Sequence, residues 1–227
     1  MISIEKALLI NLSSGLSLGS AWRGLKTEPI PAEKIPNTLV LNGHHVAELR
    51  QLWERRAEPV IAALEALSAQ ADRLLDQGPW SVVDKTNLPN GQDPHDYRSL
   101  AKYWWPDPAK PDGIPYFRRD GDVNPACYSS DYDLLRLESL SDSTVALALS
   151  AFITGNVAHR ARAIELLRVW FIDPLTRQNP SFAQAQHIPG DTSIRSAGLI
   201  ESRRLIYIVE AIRLLSATGE LPETITQ

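Results

Sequence analysis

The chain has 227 residues, of which 44% are hydrophobic and 22% are charged, and this composition excludes a disordered, collagen-like or multi-span membrane protein. Lys and Arg number 23 against 27 Asp and Glu, so the net charge of -4 gives no overall attraction for nucleic acid, and a bound polyanion would need a local cluster of cations. A single cysteine, Cys127, excludes an internal disulfide and a cysteine-based zinc site, and fits either a reducing compartment or a periplasmic or secreted protein.

The amino terminus combines features of a leader with features of an irregular start. Residues 7–18 are apolar but interrupted by polar residues, and Gly19-Ser20-Ala21 provides a small-residue cleavage site. The apolar run is too short and too polar to cross a bilayer. We therefore predict a leader or irregular segment over residues 1–41, no membrane span, and a periplasmic or secreted location. The alternative is a disordered or misassigned start.

Helical periodicity dominates the rest of the chain, and no segment shows a convincing strand pattern. Asn42 is placed to cap a first helix, Asn156 to cap a later one, and Ser193 to cap the last. Apolar stripes at residues 60–74 and 134–152 predict two more helices. The last helix has an apolar face formed by Leu205, Ile208, Val209, Ile212 and Leu215. These patterns predict an all-α protein.

Residues 78–133 lack any helical or alternating pattern. This stretch holds eight of the 16 prolines and nine of the 16 aromatic residues. Long irregular segments in compact domains are usually functional or disordered, and disordered segments are poor in aromatic residues. We therefore predict a long, ordered, aromatic-rich loop from Gly78 to Asp133, with a second irregular stretch over residues 174–193.

The long loop carries residue types that suit a carbohydrate. The run Tyr103-Trp104-Trp105 offers aromatic faces that pack on the apolar face of a sugar ring, and Arg118-Arg119 offers bidentate bonds to carboxylates. Two alternatives stay open. Either Trp could instead pin the loop to the helices, and either Arg could pair with Asp120 or Asp122.

Metal and cofactor motifs are weak or missing in the sequence. Asp120, Asp122 and Asn124 alternate as at the start of a calcium loop, but Pro125 stands where that loop needs glycine and Asp131 replaces its closing Glu. The sequence contains no glycine-rich phosphate loop and no G-x-S-x-G or H-E-x-x-H motif. We therefore predict no metal site and no cofactor.

A set of short motifs occurs in order between about Asn42 and Leu215, and together these motifs are specific. They are Asp84-Lys85-Thr86, His95-Asp96-Tyr97, Tyr103 to Pro108, Arg118 to Gly121, Asn124-Pro125, Thr154-Gly155, Trp170 to Pro174, Asn179-Pro180, Gln184-Ala185-Gln186 and Ile188-Pro189-Gly190. In this combination the chain resembles the alginate lyase-like polysaccharide lyases. The resemblance implies an incomplete (α/α) toroid of helical hairpins over residues 42–227.

The resemblance also implies an activity and a substrate. The substrate would be an acidic, uronic acid-containing polysaccharide or oligosaccharide of the alginate or glucuronan type, cleaved by β-elimination without a metal. That reaction needs a group that neutralises the uronate carboxylate, a base for the C5 proton, and an acid for the departing O4 oxygen. The oligomeric state is not implied.

The catalytic motif of the resembling family, Asn-Asn-His-Gly, is missing from this sequence. The family carries it after the helix that here ends near Leu215. We therefore expect the chain to hold the N-terminal part of the domain and to be a weakly active or inactive fragment. His95 with Tyr97 is the local pair predicted to act as catalytic residues. The predicted substrate-binding residues are Tyr103, Trp104, Trp105, Arg118, Arg119, His187 and Arg195.

Two other functions stay open at this point. One is a non-catalytic carbohydrate-binding remnant. The other is a glycoside hydrolase on a similar helical toroid, which needs two carboxylates facing each other across the scissile bond. The long loop contains nine Asp, but no pair among them stands out.

Overall fold

A computed structural model describes residues 27–58, 60–193 and 196–226 of the chain. The described residues form mostly helices, with short strands between them. The helices are α1 (Gly43–Glu54), α2 (Ile61–Asp72), α3 (Leu134–Thr154), α4 (Val157–Leu167), α5 (Gly198–Ser202), α6 (Leu205–Ser216) and α7 (Glu223–Thr226). The strands are β1 (Arg98–Leu100), β2 (Trp104–Trp105), β3 (Phe117–Arg118) and β4 (Gln184–His187). Among these helices none is long and apolar enough to cross a membrane.

The chain divides into two compact units, and each unit is built from separate stretches of sequence. Unit 1 comprises Met1–Pro79, Leu140–Leu167 and Leu205–Gln227. Unit 2 comprises Trp80–Ser139 and Arg168–Arg204. Unit 1 therefore contains most of the helical residues, whereas unit 2 contains both irregular stretches, all four strands and the start of α3.

The caps that the sequence predicts for α1 and α4 are confirmed. The Asn42 side chain accepts the backbone N–H of His45 at 3.2 Å. The Asn156 side chain accepts the N–H of Ala158 at 2.9 Å, directly after Gly155 ends α3 with a φ of 74°. These side chains satisfy N–H groups that the first turn of a helix leaves without a partner inside the helix.

The prediction that Ser193 caps one long last helix is wrong. The chain forms two helices here, and α5 begins after Ala197, which makes no side-chain cap. Gly198 starts α5 because its backbone packs against Phe182, where an added Cβ would lie 2.8 Å from the Phe182 Cβ and carbonyl oxygen. A close contact between distant segments therefore sets this boundary, and no local cap does.

The buried face of α6 differs from the predicted apolar face. Ile208 and Leu215 are buried as predicted, but Val209 is 40% exposed. Glu210 is fully buried instead, and its carboxylate accepts the backbone N–H groups of Leu39, Val40 and Leu41. The buried charge is stable there because three amide donors replace its hydration. Residues 39–41, which the sequence assigns to an irregular lead-in, are thereby attached to α6.

Unit 2 contains four short strands that the sequence pattern does not reveal. β1 pairs in parallel with β4, through Arg98 opposite Gln184 and Leu100 opposite His187, and β2 pairs antiparallel with β3. Each strand has only two to four residues, which is too short for a visible alternation. Leu100 packs with Cys127, Tyr132 and Leu134 in the core of this unit.

A buried ion pair holds the segments of unit 2 together. The Lys85 ammonium lies 3.2 Å from Asp133 Oδ2 and also donates to the carbonyl oxygens of Val82 and Pro94. Asp133 Oδ2 accepts the backbone N–H of Arg98 at 2.9 Å. Burial raises the pKa of Asp133 to about 6, although the Lys85 charge acts in the opposite direction. The Lys85 pKa is lowered, chiefly by its own burial.

Candidate functional site

The aromatic run of the long loop forms a small β-hairpin in unit 2. Trp104 lies opposite Arg118 and Trp105 opposite Phe117 in the β2–β3 pair. The backbone N–H of Arg119 donates to the carbonyl oxygen of Tyr103 at 2.8 Å. The short strands therefore position one exposed ring, Tyr103, and two half-buried indoles.

Trp105 makes contacts that fix the hairpin. Its indole N–H donates to the carbonyl oxygen of Asp122 at 3.0 Å, and the Arg119 guanidinium lies 4.7 Å from its ring centre. The Asn124 side chain donates to the carbonyl oxygen of Trp104 at 2.8 Å. These contacts join Trp104 and Trp105 to other residues of the same loop, and not to the helices to which either Trp was alternatively expected to attach it.

Both arginines of the loop are paired with neighbouring carboxylates. Arg118 Nε lies 2.6 Å from Asp120, and Arg119 lies 2.9 Å from Asp122, with all four side chains largely exposed. Exposed ion pairs of this kind contribute about 0–1 kcal/mol. No group of three or more His, Cys, Asp or Glu able to hold a metal is found in the described residues.

The contacts of His95 define its neutral tautomer. Its Nδ1 lies 2.7 Å from the carbonyl oxygen of Arg177, and a carbonyl oxygen only accepts, so the ring proton sits on Nδ1. Nε2 is then the basic nitrogen. Asn179, in the second irregular stretch, fixes the segment around His95. Its backbone N–H donates to the His95 carbonyl oxygen, and its side-chain amide donates to the carboxylates of Asp93 and Asp96.

Tyr97, the predicted partner of His95, is in the core of unit 2. Its side chain is 1% exposed, and its hydroxyl donates to Glu201 Oε2 at 2.7 Å. Burial raises its pKa well above the ordinary value, and the Glu201 charge adds to that shift. Its ring packs on Phe182 with 4.7 Å between centres. The hydroxyl is therefore committed to Glu201 rather than directed to His95.

Of the residues described so far, Tyr103 and Glu201 line a cleft of about 260 Å³ in unit 2, which we call the cationic cleft. Its charged lining residues are Lys102, Arg203, Arg204, Glu138 and Glu201. Tyr103, Gln186 and two apolar side chains complete the lining. Three cations against two carboxylates give this cleft a local positive charge in a chain whose net charge is -4.

The three cations of the cleft differ in their contacts. Arg204 lies 3.3 Å from Glu138, so these two charges offset each other. Lys102 lies against the Tyr128 ring and hydroxyl, and although burial lowers its pKa, the contributions of Tyr128 and other groups raise it overall. The Arg203 side chain is exposed and forms no hydrogen bond or ion pair with the described part of the chain. Neither Lys102 nor Arg203 is therefore paired with a carboxylate of the described residues.

A chain of directed hydrogen bonds ends at the wall of the cationic cleft. The backbone N–H of Gln186 donates to Ser99 Oγ at 2.7 Å, and Ser99 donates to Glu201 Oε2 at 2.7 Å. Gln186 has a φ of 51°, an unusual conformation for a residue other than glycine. The second carboxylate oxygen, Glu201 Oε1, is buried and has no partner among the described residues.

A second cleft lies on the same strand. His187 lines it with Gln92, Gln184, Asp191 and Ser193, while Gln186 of β4 lines the cationic cleft. Burial, with a smaller contribution from Arg98, lowers the His187 pKa, and Asp191 opposes the shift. The structure therefore places Tyr103 and His187 in different clefts. Arg195 lies outside the described residues.

A Ser–His–Asp chain in unit 1 resembles a catalytic triad. His159 lies 3.0 Å from Ser150 Oγ through Nδ1 and 2.9 Å from Asp72 through Nε2. Ser150 and His159 are 0% exposed, so a substrate has no access to the hydroxyl. A nucleophilic serine must reach its substrate, and these three residues therefore have a structural role.

The sequence analysis missed Lys102, Glu201 and Arg203. Lys102 adjoins the recognised aromatic run, and this proximity was the available signal for it. Glu201 and Arg203 lie about 100 residues away on an amphipathic segment, where isolated charges give no pattern.

The fold and the cleft define a mostly helical protein whose second unit carries a cationic, partly aromatic surface cleft. Residues 81–227 match the family model described as Alginate lyase, so the chain belongs to that family. The chain is also similar to the crystal structure of an alginate lyase from Bacteroides ovatus, with 32% identity and a TM-score of 0.76. That similarity covers 84% of this chain and 50% of the other, so the chain spans about half the length of its solved relative. No curated protein matches the sequence.

Proposed function

We propose that this protein is a polysaccharide lyase that acts on a uronic acid-containing polymer, and that the cationic cleft binds the acidic sugar. The observation that carries the proposal is the Arg203 side chain, an exposed cation without a partner among the described residues, which shares one cleft with Lys102 and the Tyr103 ring. Family membership supports the reaction type, and the similarity to a solved alginate lyase favours alginate within this substrate class.

Each group of the cleft has a role in this proposal. Arg203 binds the uronate carboxylate, since a guanidinium matches a carboxylate in bidentate geometry, and Lys102 adds a second positive charge. Tyr103 packs on the apolar face of the sugar ring. Trp104, Arg118 and Arg119 contact the polymer outside the cleft, and Trp105 holds their hairpin. His187 and Arg195 contact another sugar unit of the polymer.

The chemical step needs a base, and His95 is our candidate. Its Nδ1–H is held by the Arg177 carbonyl oxygen, so Nε2 accepts a proton. In β-elimination the base takes the C5 proton, the electron pair forms the C4–C5 double bond, and the C4–O4 bond breaks as an acid protonates O4. Tyr97 was predicted for such a proton transfer, but its hydroxyl is donated to Glu201, and we assign it to positioning that carboxylate.

The binding proposal is tested by calorimetric titration with uronate oligosaccharides and, as a neutral control, with cello-oligosaccharides. Arg203→Ala should weaken uronate binding about ten- to a hundredfold, since a charge-assisted bond contributes roughly 1.5–3 kcal/mol. Arg118→Ala is the matched control, because Arg118 is already paired with Asp120, and we expect a loss of about threefold or less. Equal binding of neutral and acidic sugars would contradict the proposal.

Cleavage is tested by the absorbance of the unsaturated uronyl product from alginate and glucuronan. We expect a low rate from this chain, and a further loss of about 10²-fold or more in His95→Ala if His95 is the base. Product formation that is unchanged in His95→Ala would remove His95 from the mechanism. We further propose a periplasmic or secreted location, where such polymers are met.

A second candidate function is binding without cleavage. It is favoured by the commitment of the Tyr97 hydroxyl to Glu201, which leaves His95 without the predicted acid. Oligosaccharide binding with no absorbance change and no new reducing ends would support it. New reducing ends without absorbance would indicate hydrolysis instead, for which Glu138 and Glu201 are carboxylates in one cleft.

A further inference from the structure

We propose that Glu201 makes the cationic cleft selective for a sugar with a free hydroxyl over the same sugar with that hydroxyl acylated. The inference rests on the proposed function, since it assumes that the cleft holds an acidic sugar. It adds a specificity-determining residue that the sequence motifs do not indicate. The two oxygens of the Glu201 carboxylate differ in their partners.

One oxygen of Glu201 is fully engaged by the protein. Oε2 accepts the hydroxyl of Tyr97 and the hydroxyl of Ser99, each at 2.7 Å. The Ser99 oxygen itself accepts the N–H of Gln186, so its proton is directed to Glu201. The carboxylate is thereby fixed in position by two donors whose own directions are set.

The other oxygen of Glu201 has no protein donor. Oε1 is buried without a hydrogen-bond partner among the described residues, and the residue, 5% exposed, lines the cleft. A buried acceptor without a partner carries a cost of about 1–3 kcal/mol, and more when it is charged. A ligand that donates a hydrogen bond to Oε1 removes this cost and is favoured for that reason.

The chemistry of an acidic sugar then determines which of its groups meets Glu201. An ionised carboxylate only accepts, so two carboxylates would repel, and the uronate carboxylate binds at Arg203 and Lys102 instead. A sugar hydroxyl donates and fits Oε1. An O-acetyl ester offers only acceptor oxygens, leaves Oε1 unpaired, and is rejected.

The isosteric variant Glu201→Gln should remove this preference without changing the size of the cleft. Tyr97 and Ser99 still require an acceptor, so they bind the Gln oxygen and leave the Gln amide at the position of Oε1. The cleft wall then donates instead of accepting. An ester carbonyl is a partner for that amide, so binding of the acetylated sugar should improve while binding of the free sugar weakens.

The probes are a mannuronate oligosaccharide and its O-acetylated form, each titrated calorimetrically into the 227-residue chain. The unmodified protein should bind the free form at least about tenfold more tightly, and Glu201→Gln should bring the two affinities to within about threefold. Tyr97→Phe is the matched control. It removes one donor from the same carboxylate but keeps Oε1, so it should retain the discrimination.

The possible outcomes separate this inference from the proposed function. Binding of both forms with equal affinity by the unmodified protein overturns the role of Glu201 and leaves the uronate site intact. Discrimination that persists in Glu201→Gln means that size, and not hydrogen bonding, excludes the ester, and also overturns it. Absence of uronate binding overturns the proposed function itself. If Glu201→Gln fails to fold, equal affinity of the unmodified protein for the two sugars still overturns the inference.

Discussion

The two units of the chain treat their buried polar groups in opposite ways. In unit 1, Glu210 is saturated by three backbone amides, and His159 is bonded through both ring nitrogens. In unit 2, Glu201, Asp133 and Arg98 each keep a buried atom without a hydrogen-bond partner, which is three of the four such atoms in the described residues. The fourth, Arg162 Nε, belongs to unit 1, so these atoms are concentrated in unit 2.

Unit 2 also contains several groups with shifted pKa values, among them Lys85, Tyr97, Asp133 and His187. Perturbed pKa values gather at functional sites, because burial and incomplete pairing are what tune a reactive or binding group. A Ser–His–Asp pattern is therefore a weaker indication of a functional site than a buried acceptor without a hydrogen-bond partner beside a cleft.

The largest expected effect is on the buried ion pair of unit 2. Asp133→Ala leaves the Lys85 ammonium without its counter-charge and the Arg98 N–H without its acceptor. We expect a loss of about 3–5 kcal/mol in the free energy of unfolding at neutral pH, measured by urea denaturation. Asp131→Ala is the control, since its bond from Thr86 is at the surface, and should cost under about 1 kcal/mol. Similar losses for the two variants would contradict the importance of the buried pair.

The pH dependence of stability tests the same residue. Asp133 has a pKa of about 6 in the folded protein against 3.8 unfolded, because burial disfavours the charged form. The folded state therefore binds the extra proton between these values. The contribution of Asp133 to stability is fully present below about pH 4 and falls as the pH rises through 6, by about 3 kcal/mol in all. The difference in unfolding free energy between the native chain and Asp133→Ala should change over this range. A constant difference would mean that the Asp133 pKa is not raised.

In unit 1 the expected effect is on stability alone. Glu210→Ala removes the acceptor for Leu39, Val40 and Leu41, and should lower the free energy of unfolding by about 2–3 kcal/mol. Uronate binding at a temperature where the variant is folded should not change. The control Glu54→Ala disrupts only an exposed pair with Arg50 and should cost about 0.5 kcal/mol or less. Loss of binding in folded Glu210→Ala would remove the contrast between the units.

The smallest effect is expected at the triad-like chain. Ser150→Ala should cost about 1 kcal/mol, since it removes one buried hydrogen bond to His159. It should leave uronate binding and product formation unchanged, and a fluorophosphonate probe should not label Ser150 in the native chain. Labelling at Ser150 would show that the hydroxyl is accessible and would contradict the structural role of the Ser–His–Asp chain in unit 1.

The helices of this protein are determined locally, and the sequence therefore predicts them well. Asn42 and Asn156 cap the helices for which they were identified, because a cap bonds an N–H only two or three residues away. The sequence fails where distant contacts decide. Gly198 begins α5 because of Phe182, and β1 and β4 pair across more than 80 residues.

The same distinction applies to the site. The sequence by itself determined the family, the aromatic loop residues and the need for a local cluster of cations in an acidic chain. Only the tertiary structure decided which residues are free to act: Arg118 and Arg119 are paired with neighbouring carboxylates, Tyr97 is buried on Glu201, and Lys102 and Arg203 meet in one cleft. The physical reason is that residue type sets what a side chain can bind, whereas the burial of Tyr97 on Glu201 and the meeting of Lys102 with Arg203 depend on segments about 100 residues apart.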